Sequence, residues 1–283
     1  MSKGNSNFIL TDEEKRKEYA EDLKNFRPLD DVFMRILFKN NIPLTQFVVR
    51  TITEKSDLIV EYEETQYDMK RLLGARSVCL DVLASDSEGR KYNIELQKSG
   101  KGADVKRARY HSSAMDVEFL NARQEFDELP ETYVIFFTEH DVFKRGKPIY
   151  KIERTFTDSG KLFDDGEHII YVNCAYQNKD DHSDLAKLIH DFKCSNPNDM
   201  YIDLLAQNAG NIKSTNGGNT MALGNMYNFI LIEKRESAFR LLKMGELSIE
   251  KISQALDLPL EEVERINREY CSSPETKTEN ISE

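Results

Sequence analysis

At 283 residues, of which 39% are hydrophobic, the chain is long enough for one large soluble domain, or for one domain with an appendage. Its formal net charge of −11 argues against a protein that coats nucleic acid non-specifically, although it leaves room for a local basic stripe. No stretch approaches the roughly 18–20 apolar residues of a membrane span. The N-terminus also lacks the apolar core of a signal peptide. We therefore expect a cytoplasmic protein that does not enter a membrane.

The positions of the four cysteines limit the kinds of thiol site that the chain can form. They are Cys79, Cys174, Cys194 and Cys271. They are far apart in the chain and show no CxxC spacing, which argues against both a zinc site and a disulfide framework. We interpret them as buried or free thiols in a reducing compartment.

The first third of the chain is predicted to begin with helices. Thr11–Asn25 starts with a capping-box signature, and apolar residues at helical spacing follow in Asp30–Phe38 and Pro43–Thr53. Leu58–Tyr67 is predicted to be extended. A β-hairpin is predicted next, with strands Val78–Ser85 and Lys91–Gln97 around a three-residue loop that places Gly89 where a positive φ is needed.

The remainder of the first 206 residues alternates helices and strands. Long apolar stripes predict helices over Ala103–Glu125 and Asp184–Phe192. Continuous apolar runs in Tyr133–Thr138 and Ile169–Val172 are typical of strands covered on both faces, and Pro148–Phe156 is interpreted as a less buried strand. These elements predict an α/β fold with a mixed central sheet flanked by helices.

The C-terminal quarter differs in composition. We predict a main domain over residues 1–206, a linker over 207–220, a helical region over 221–271 and a disordered tail over 272–283. Two short helices in that region, Ser248–Leu256 and Pro259–Tyr270, resemble a helix-turn-helix. The second helix carries four glutamates and two arginines, a surface that phosphates would repel. We favour a packing or homo-oligomerisation module, with a DNA reader as the alternative.

Two acids in the predicted hairpin are the main candidates for chemistry. If the strands pair about Glu88, Asp81 lies opposite Glu95, with Cβ atoms about 4.5–5.5 Å apart. Gln97 projects to the same face as Glu95, because strand side chains alternate. Surface hairpins often carry such acid pairs without any ligand. The apolar neighbours of Asp81, however, predict partial burial, where an unpaired charge is unfavourable. This cluster suits a magnesium ion.

Basic residues surround the acids. Between Arg90 and Arg109 the chain has seven basic residues against two acidic ones. The alternative interpretation is an ordinary solvated surface. Four of these residues are predicted to track a DNA backbone: Lys98, Lys106, Arg107 and Arg109. Strand alternation predicts that Lys98 points away from the acids.

Several blocks, in order, give the chain a recognisable pattern between about Phe26 and Tyr201. They are LDDVFMR from Leu29, RSVCLD from Arg76, YNIELQ from Tyr92, RARY from Arg107, LPETYVI from Leu129 and IIYVN from Ile169. In this pattern the chain resembles the PD-(D/E)XK nuclease family of transposase-like proteins, related to the recombination-promoting nucleases of bacteria. The resemblance implies a restriction-endonuclease-like α/β core.

The resemblance also implies roles for single residues. Asp81 and Glu95 match the metal-binding acids of the family, and Gln97 takes the place of its lysine. Asp30 matches the acid of the N-terminal helix, although an aspartate there could simply cap the helix. Arg107 matches the arginine of the helix after the site. His111 stands where a tyrosine is usual and is titratable near neutral pH.

The function implied is a DNA endonuclease that depends on Mg²⁺, with Mn²⁺ as a substitute. Asp81 and Glu95 would be the metal ligands, and Gln97 would position the attacking water. The first alternative is a DNA-binding or regulatory protein that keeps the scaffold after losing the lysine. The second is an interaction protein that works through its C-terminal helices.

Overall fold

A computed structural model of the chain contains two compact units, residues 1–222 and 223–283. It describes residues 23–69, 78–98 and 103–214, and, within the C-terminal unit, 231, 234–235, 237–242, 245, 247–256 and 258–272. Within these residues, every helix is too short or too polar to cross a bilayer. The predicted helix over Thr11–Asn25 and the C-terminal tail lie almost wholly outside the described residues.

The first unit is built on a six-stranded mixed sheet. Its strands are β1 (Val60–Asp68), β2 (Cys79–Asp86), β3 (Lys91–Gln97), β4 (Thr132–Thr138), β5 (Ile149–Ile152) and β6 (Glu167–Asn173). Their spatial order is β1-β2-β3-β4-β6-β5. Strands β3, β4 and β6 run parallel, whereas β1, β2 and β5 pair with their neighbours antiparallel. This arrangement confirms the predicted α/β class with a restriction-endonuclease-like core.

Helices flank the sheet. They are α1 (Asp31–Phe38), α2 (Ile42–Thr53), α3 (Val105–Phe119), α4 (Asp184–Asp191) and α5 (Asp203–Lys213). Helix α1 buries its apolar stripe, including Phe33, Met34 and Leu37, which the sequence spacing predicts. Helix α2 begins where the Asn41 side chain accepts a hydrogen bond from the Leu44 amide at 3.3 Å, a standard N-terminal cap.

The hairpin between β2 and β3 forms as predicted. Asp86 Oδ1 accepts hydrogen bonds of 3.0 Å from the amides of Glu88 and Arg90, and Gly89 adopts a φ of +83°. The pairing runs from Ser85 with Lys91 to Val82 with Ile94. The next step in this register brings Asp81 opposite Glu95.

The core lies on both faces of the central strands, since every residue of β4 is buried. One apolar cluster joins Val134 and Phe136 of β4 to Ala108 and Met115 of α3. Elsewhere in the core, the ring of Phe137 stacks on Phe192 with centroids 4.3 Å apart. Burial on two sides explains why the sequences of the central strands β4 and β6 are continuous apolar runs.

Three predicted boundaries are wrong, the first being that of the strand predicted over Pro148–Phe156, which ends at Ile152. Helix α3 ends at Phe119 rather than Glu125, because Leu120 is extended and a turn between Asn121 and Gln124 follows. The predicted linker over 207–220 is also wrong in its first half, because residues 207–213 complete α5. Ala209 is fully buried there, so tertiary packing overrides a composition rich in asparagine and glycine. The rest of that linker, except Ser214, lies outside the described residues.

The C-terminal unit has a small core of its own. Helices α6 (Ile249–Leu256) and α7 (Leu260–Ser272) occupy the positions predicted from the sequence. The buried residues of this core are Ala238, Ile252, Leu258, Val263 and Ile266. Arg265 pairs with Glu262 at 2.6 Å and with Glu269 at 3.4 Å, so acids of the same helix engage this arginine.

Candidate active site

Asp81 on β2 and Glu95 on β3 contact each other across the hairpin. The Asp81 amide donates a hydrogen bond of 3.3 Å to Glu95 Oε1. In return, Asp81 Oδ2 accepts a hydrogen bond of 3.2 Å from the Leu96 amide, next to Glu95. Each carboxylate is therefore held by the backbone of the opposite strand, and the exposed fractions of the two side chains are only 13% and 1%.

The surroundings of Asp81 combine burial with charges of both signs. Burial raises its pKa well above the usual value, and the charges of Glu95 and Asp31 raise the pKa further. Arg35 acts in the opposite direction, with its Nη2 3.6 Å from Asp81 Oδ1 and 2.8 Å from Asp31 Oδ2. Gln66 Nε2 donates to Asp81 Oδ1 at 3.4 Å.

Glu95 is bordered by helix α3. Arg107 Nη2 lies 3.4 Å from Glu95 Oε2, and His111 Nδ1 lies 3.5 Å from Glu95 Oε1. His111 is also 3.3 Å from the amide nitrogen of buried Asn93, and its Nε2 accepts from Arg107 Nε at 3.3 Å. Two helices thus bring cations to the acid pair, α1 to Asp81 and α3 to Glu95.

Asp30 occupies the N-cap position of α1, but its side chain does not cap the helix. Its carboxylate accepts from the Arg27 amide at 2.6 Å and from Arg27 Nη2 at 3.1 Å, and it pairs with Lys98. Burial alone would raise the pKa of Asp30, but hydrogen bonds from Arg27 and Lys98 outweigh it and lower the pKa below its usual value. Asp30 is therefore held by cations.

Lys98 follows Gln97, the last residue of β3, and pairs with the start of α1. That its side chain points away from Asp81 and Glu95 stays a prediction from strand alternation. Its ammonium group reaches Asp30 at the start of α1 while 48% of the side chain stays exposed. Lys98 is thus both paired and accessible to an anion.

The other predicted residues lie on β3 and α3. Gln97 is half-buried at the end of β3 and is paired along the sheet with Thr138. Lys106, Arg107 and Arg109 lie exposed on α3, and Arg107 contacts Glu95.

Sequence reasoning weighed metal assistance against helix capping for both Asp30 and Asp31, chose Asp30 as the site residue, and missed Arg35. Asp31 contributes to the raised pKa of Asp81, and Arg35 bridges Asp31 to Asp81. A signal was present, because an aspartate and an arginine four residues apart face the same side of a helix. That spacing alone could not show that α1 contacts β2.

The donor set fits a hard divalent cation. Two carboxylates from neighbouring strands, with amide groups nearby, are the ligands that Mg²⁺ prefers, and burial of two like charges raises the pKa of Asp81. Another group of potential metal ligands occurs among the described residues, at His190, Asp191 and Cys194. Their donor atoms all lie within 4.8 Å of one another. There, Asp191 accepts hydrogen bonds from the backbone of Tyr201 and Ile202 at 2.8–3.1 Å, which indicates a structural carboxylate.

Comparison with known proteins gives the family. The sequence model of the PD-(D/E)XK nuclease family transposases matches residues 28–192, which contain both acids and every strand of the sheet. No curated protein and no solved structure matches the chain. Nucleases of the PD-(D/E)XK type generally use divalent metal ions, and their substrate is DNA. The match spans more than half of the 283 residues, and the chain therefore belongs to the PD-(D/E)XK nuclease family transposases.

Proposed function

We propose that the protein is a DNA endonuclease of the transposase or recombination-promoting type, dependent on Mg²⁺ and able to use Mn²⁺. The observation that carries this proposal is the reciprocal contact of Asp81 and Glu95 across the hairpin, inside a family of nucleases. Asp81 and Glu95 would hold the metal ion. When bound, Mg²⁺ supplies a water of lowered pKa and neutralises charge on the phosphoryl oxygens.

The protein's own residues would orient the reactants. The Gln97 amide would position the attacking water or the phosphate, since an amide cannot act as a general base. Two cations would assist, since Lys98 pairs with Asp30 and Arg107 pairs with Glu95. Both side chains are nearly half exposed, so each could pair with a phosphate of the scissile strand.

Asp31 is the better candidate for a third acid than Asp30. Its charge already acts on Asp81, whereas the carboxylate of Asp30 is engaged by Arg27 and Lys98. Asp30 would then act by positioning Lys98. Lys106 and Arg109, exposed along α3, would contact the DNA backbone farther from the cut.

A second candidate function has one observation in its favour. Each acid already has an arginine beside it, with Arg35 near Asp81 and Arg107 near Glu95. Such a site is partly charge-balanced without a cation, and Gln97 replaces the lysine usual in the family. This combination suits a DNA-binding or regulatory protein that retains the scaffold without cleavage. In either case we place the protein in the cytoplasm, with self-association through α6 and α7 as a further proposal.

A plasmid-nicking assay tests the proposal. The full chain should nick supercoiled DNA with Mg²⁺ and stop when a chelator is added. Asp81→Asn and Glu95→Gln should each lower the rate by roughly a hundredfold or more, because each removes a ligand and not only a supporting group. Glu61→Gln, an exposed acid on β1, is the matched control. Equal rates in all variants would exclude this site, and absence of cleavage with retained DNA binding would favour the second candidate.

A further inference from the structure

A pocket of about 430 Å³ lies beyond the C-terminal end of β6, the last of the parallel strands. Gln97, Thr138 and Asn173 occupy one row across β3, β4 and β6. The pocket begins at Tyr176, three residues after β6, and continues along α4 to Tyr201. Adjacent strands are about 4.8 Å apart, so the row spans only about 10 Å.

Further contacts connect the pocket to the segment around Asp30. The Leu29 amide donates a hydrogen bond of 3.0 Å to the Phe192 carbonyl, which joins the turn before Asp30 to the end of α4. Arg27, which binds Asp30, also pairs with Glu139 at 3.0 Å. The charges of Lys193, Glu139 and Arg27 all act on the buried thiol of Cys174, so Lys193 of the pocket lies near this network.

The charge of the pocket wall is opposite to that of the whole chain. Three lysines line it, Lys179, Lys187 and Lys193, against one carboxylate, Asp181. That carboxylate accepts hydrogen bonds from Tyr176 at 2.9 Å and from the Ser183 amide at 3.0 Å. In a protein of net charge −11, this concentration of lysines favours a ligand that carries phosphate.

The same wall presents an aromatic surface held in place. The ring of Tyr201 packs on the ring of His190, with centroids 4.3 Å apart. His190 Nδ1 is 3.0 Å from Asp191 Oδ1, and Asp191 binds the Tyr201 amide, so one buried carboxylate holds both residues. Tyr201 nevertheless remains 65% exposed, which leaves room for a second ring to stack on it.

We infer that this pocket binds an unpaired nucleotide of the DNA substrate, with its base stacked on Tyr201 and its phosphate near Lys193. This inference rests on the proposed function, since it assigns the pocket to the DNA that the acids would cut. Aromatic side chains within a cationic groove are the usual means of binding single strands. The base would be bound without strong sequence preference, because stacking tolerates every base.

The test is fluorescence anisotropy with a labelled single-stranded oligonucleotide and with its blunt duplex, using the full chain in chelator so that nothing is cut. Tyr201→Ala should weaken single-strand binding about tenfold, and Tyr201→Phe should largely preserve it. Lys193→Gln should reduce the slope of log affinity against log salt by about 0.7. Duplex binding should change little in the two Tyr201 variants.

The matched controls are Phe126→Ala and Lys161→Gln. Phe126 is 82% exposed before β4 and Lys161 is exposed before β6, toward the other edge of the sheet. The inference is overturned if Tyr201→Ala behaves like Phe126→Ala, or if single-strand and duplex binding fall equally. Asp81→Asn separates the two hypotheses. If this variant loses cleavage and keeps single-strand binding, the result supports a nucleotide site in the pocket. If the wild type never cleaves DNA but binds single strands through Tyr201, the result contradicts only the proposed nuclease activity.

Discussion

The ammonium group of Lys98 pairs with the carboxylate of Asp30, and this ion pair joins the end of β3 to the start of α1. The chain has glutamine at position 97, where the family usually has lysine. We propose that the next residue, Lys98, supplies a cation to the site from a position just beyond the strand. Asp30, which is also bound to Arg27, fixes the Lys98 ammonium group at the start of α1 while about half of the side chain remains exposed.

Lys98→Ala should lower the rate of Mg²⁺-dependent nicking by roughly 10- to 100-fold, since it removes a cation that can stabilise charge developing on phosphate. Lys98→Arg should retain more activity than Lys98→Ala, because the charge is kept. The measurement is the initial rate of plasmid nicking at saturating Mg²⁺. Lys161→Gln serves as the control for loss of a surface lysine, and a rate for Lys98→Ala equal to that control would contradict the assignment.

Asp81 should make the metal-free protein sensitive to pH. Its pKa is raised by burial and by Glu95, so the folded protein holds this proton more tightly than the unfolded chain does. The contribution of Asp81 to stability therefore falls as the pH rises from about 4 toward the raised pKa. Asp81→Asn should remove this loss.

The measurement is the melting temperature of wild type and Asp81→Asn in chelator at pH 4.5 and pH 8. Asp81→Asn should gain stability relative to wild type on going to pH 8. Mg²⁺ should then raise the melting temperature of wild type but not of the variant. A difference between the two proteins that stays constant with pH would show that Asp81 ionises as it does in the unfolded chain.

The sequence was sufficient to predict the hairpin and its register, since these depend on local signals. Gly89 provides the positive φ of the turn, and Asp86 accepts hydrogen bonds from amides within it. Counting along both strands from this turn pairs Asp81 with Glu95. The place of Asp31, Arg35 and Lys98 in the site depends instead on how α1 packs against the sheet. That packing joins residues 46 and 68 positions apart, and no local periodicity encodes it. The linker prediction failed for a related reason, since Ala209 is buried by contacts that composition cannot reveal.

Glu63 on β1 is another partly buried carboxyl group whose pKa is raised. Burial raises this pKa to about 7, although a hydrogen bond of 3.2 Å from the Asn41 amide opposes the rise. Its contribution to stability is lost as the pH rises from about 4.5 to about 7, because the folded state then has to ionise it. Glu63→Gln should therefore stabilise the protein at pH 8 by about 1–2 kcal/mol, a value reduced for solvent screening.

Urea unfolding of wild type and Glu63→Gln at pH 8 and pH 4.5 measures this effect. The stabilisation should disappear at pH 4.5, where Glu63 is protonated in the folded state. Glu61→Gln, exposed on the same strand, should change little at either pH. An equal stabilisation by Glu63→Gln at both pH values would attribute it to packing instead.

Binding of one divalent ion by Asp81 and Glu95 together is measured most directly by isothermal titration of the full chain with Mn²⁺. Wild type should bind one ion at this site, and Asp81→Asn and Glu95→Gln should each weaken that binding by at least about tenfold. Glu61→Gln should bind as wild type does. Wild-type protein that takes up no ion, or single variants that bind Mn²⁺ as tightly as wild type, would contradict a shared metal site at this hairpin.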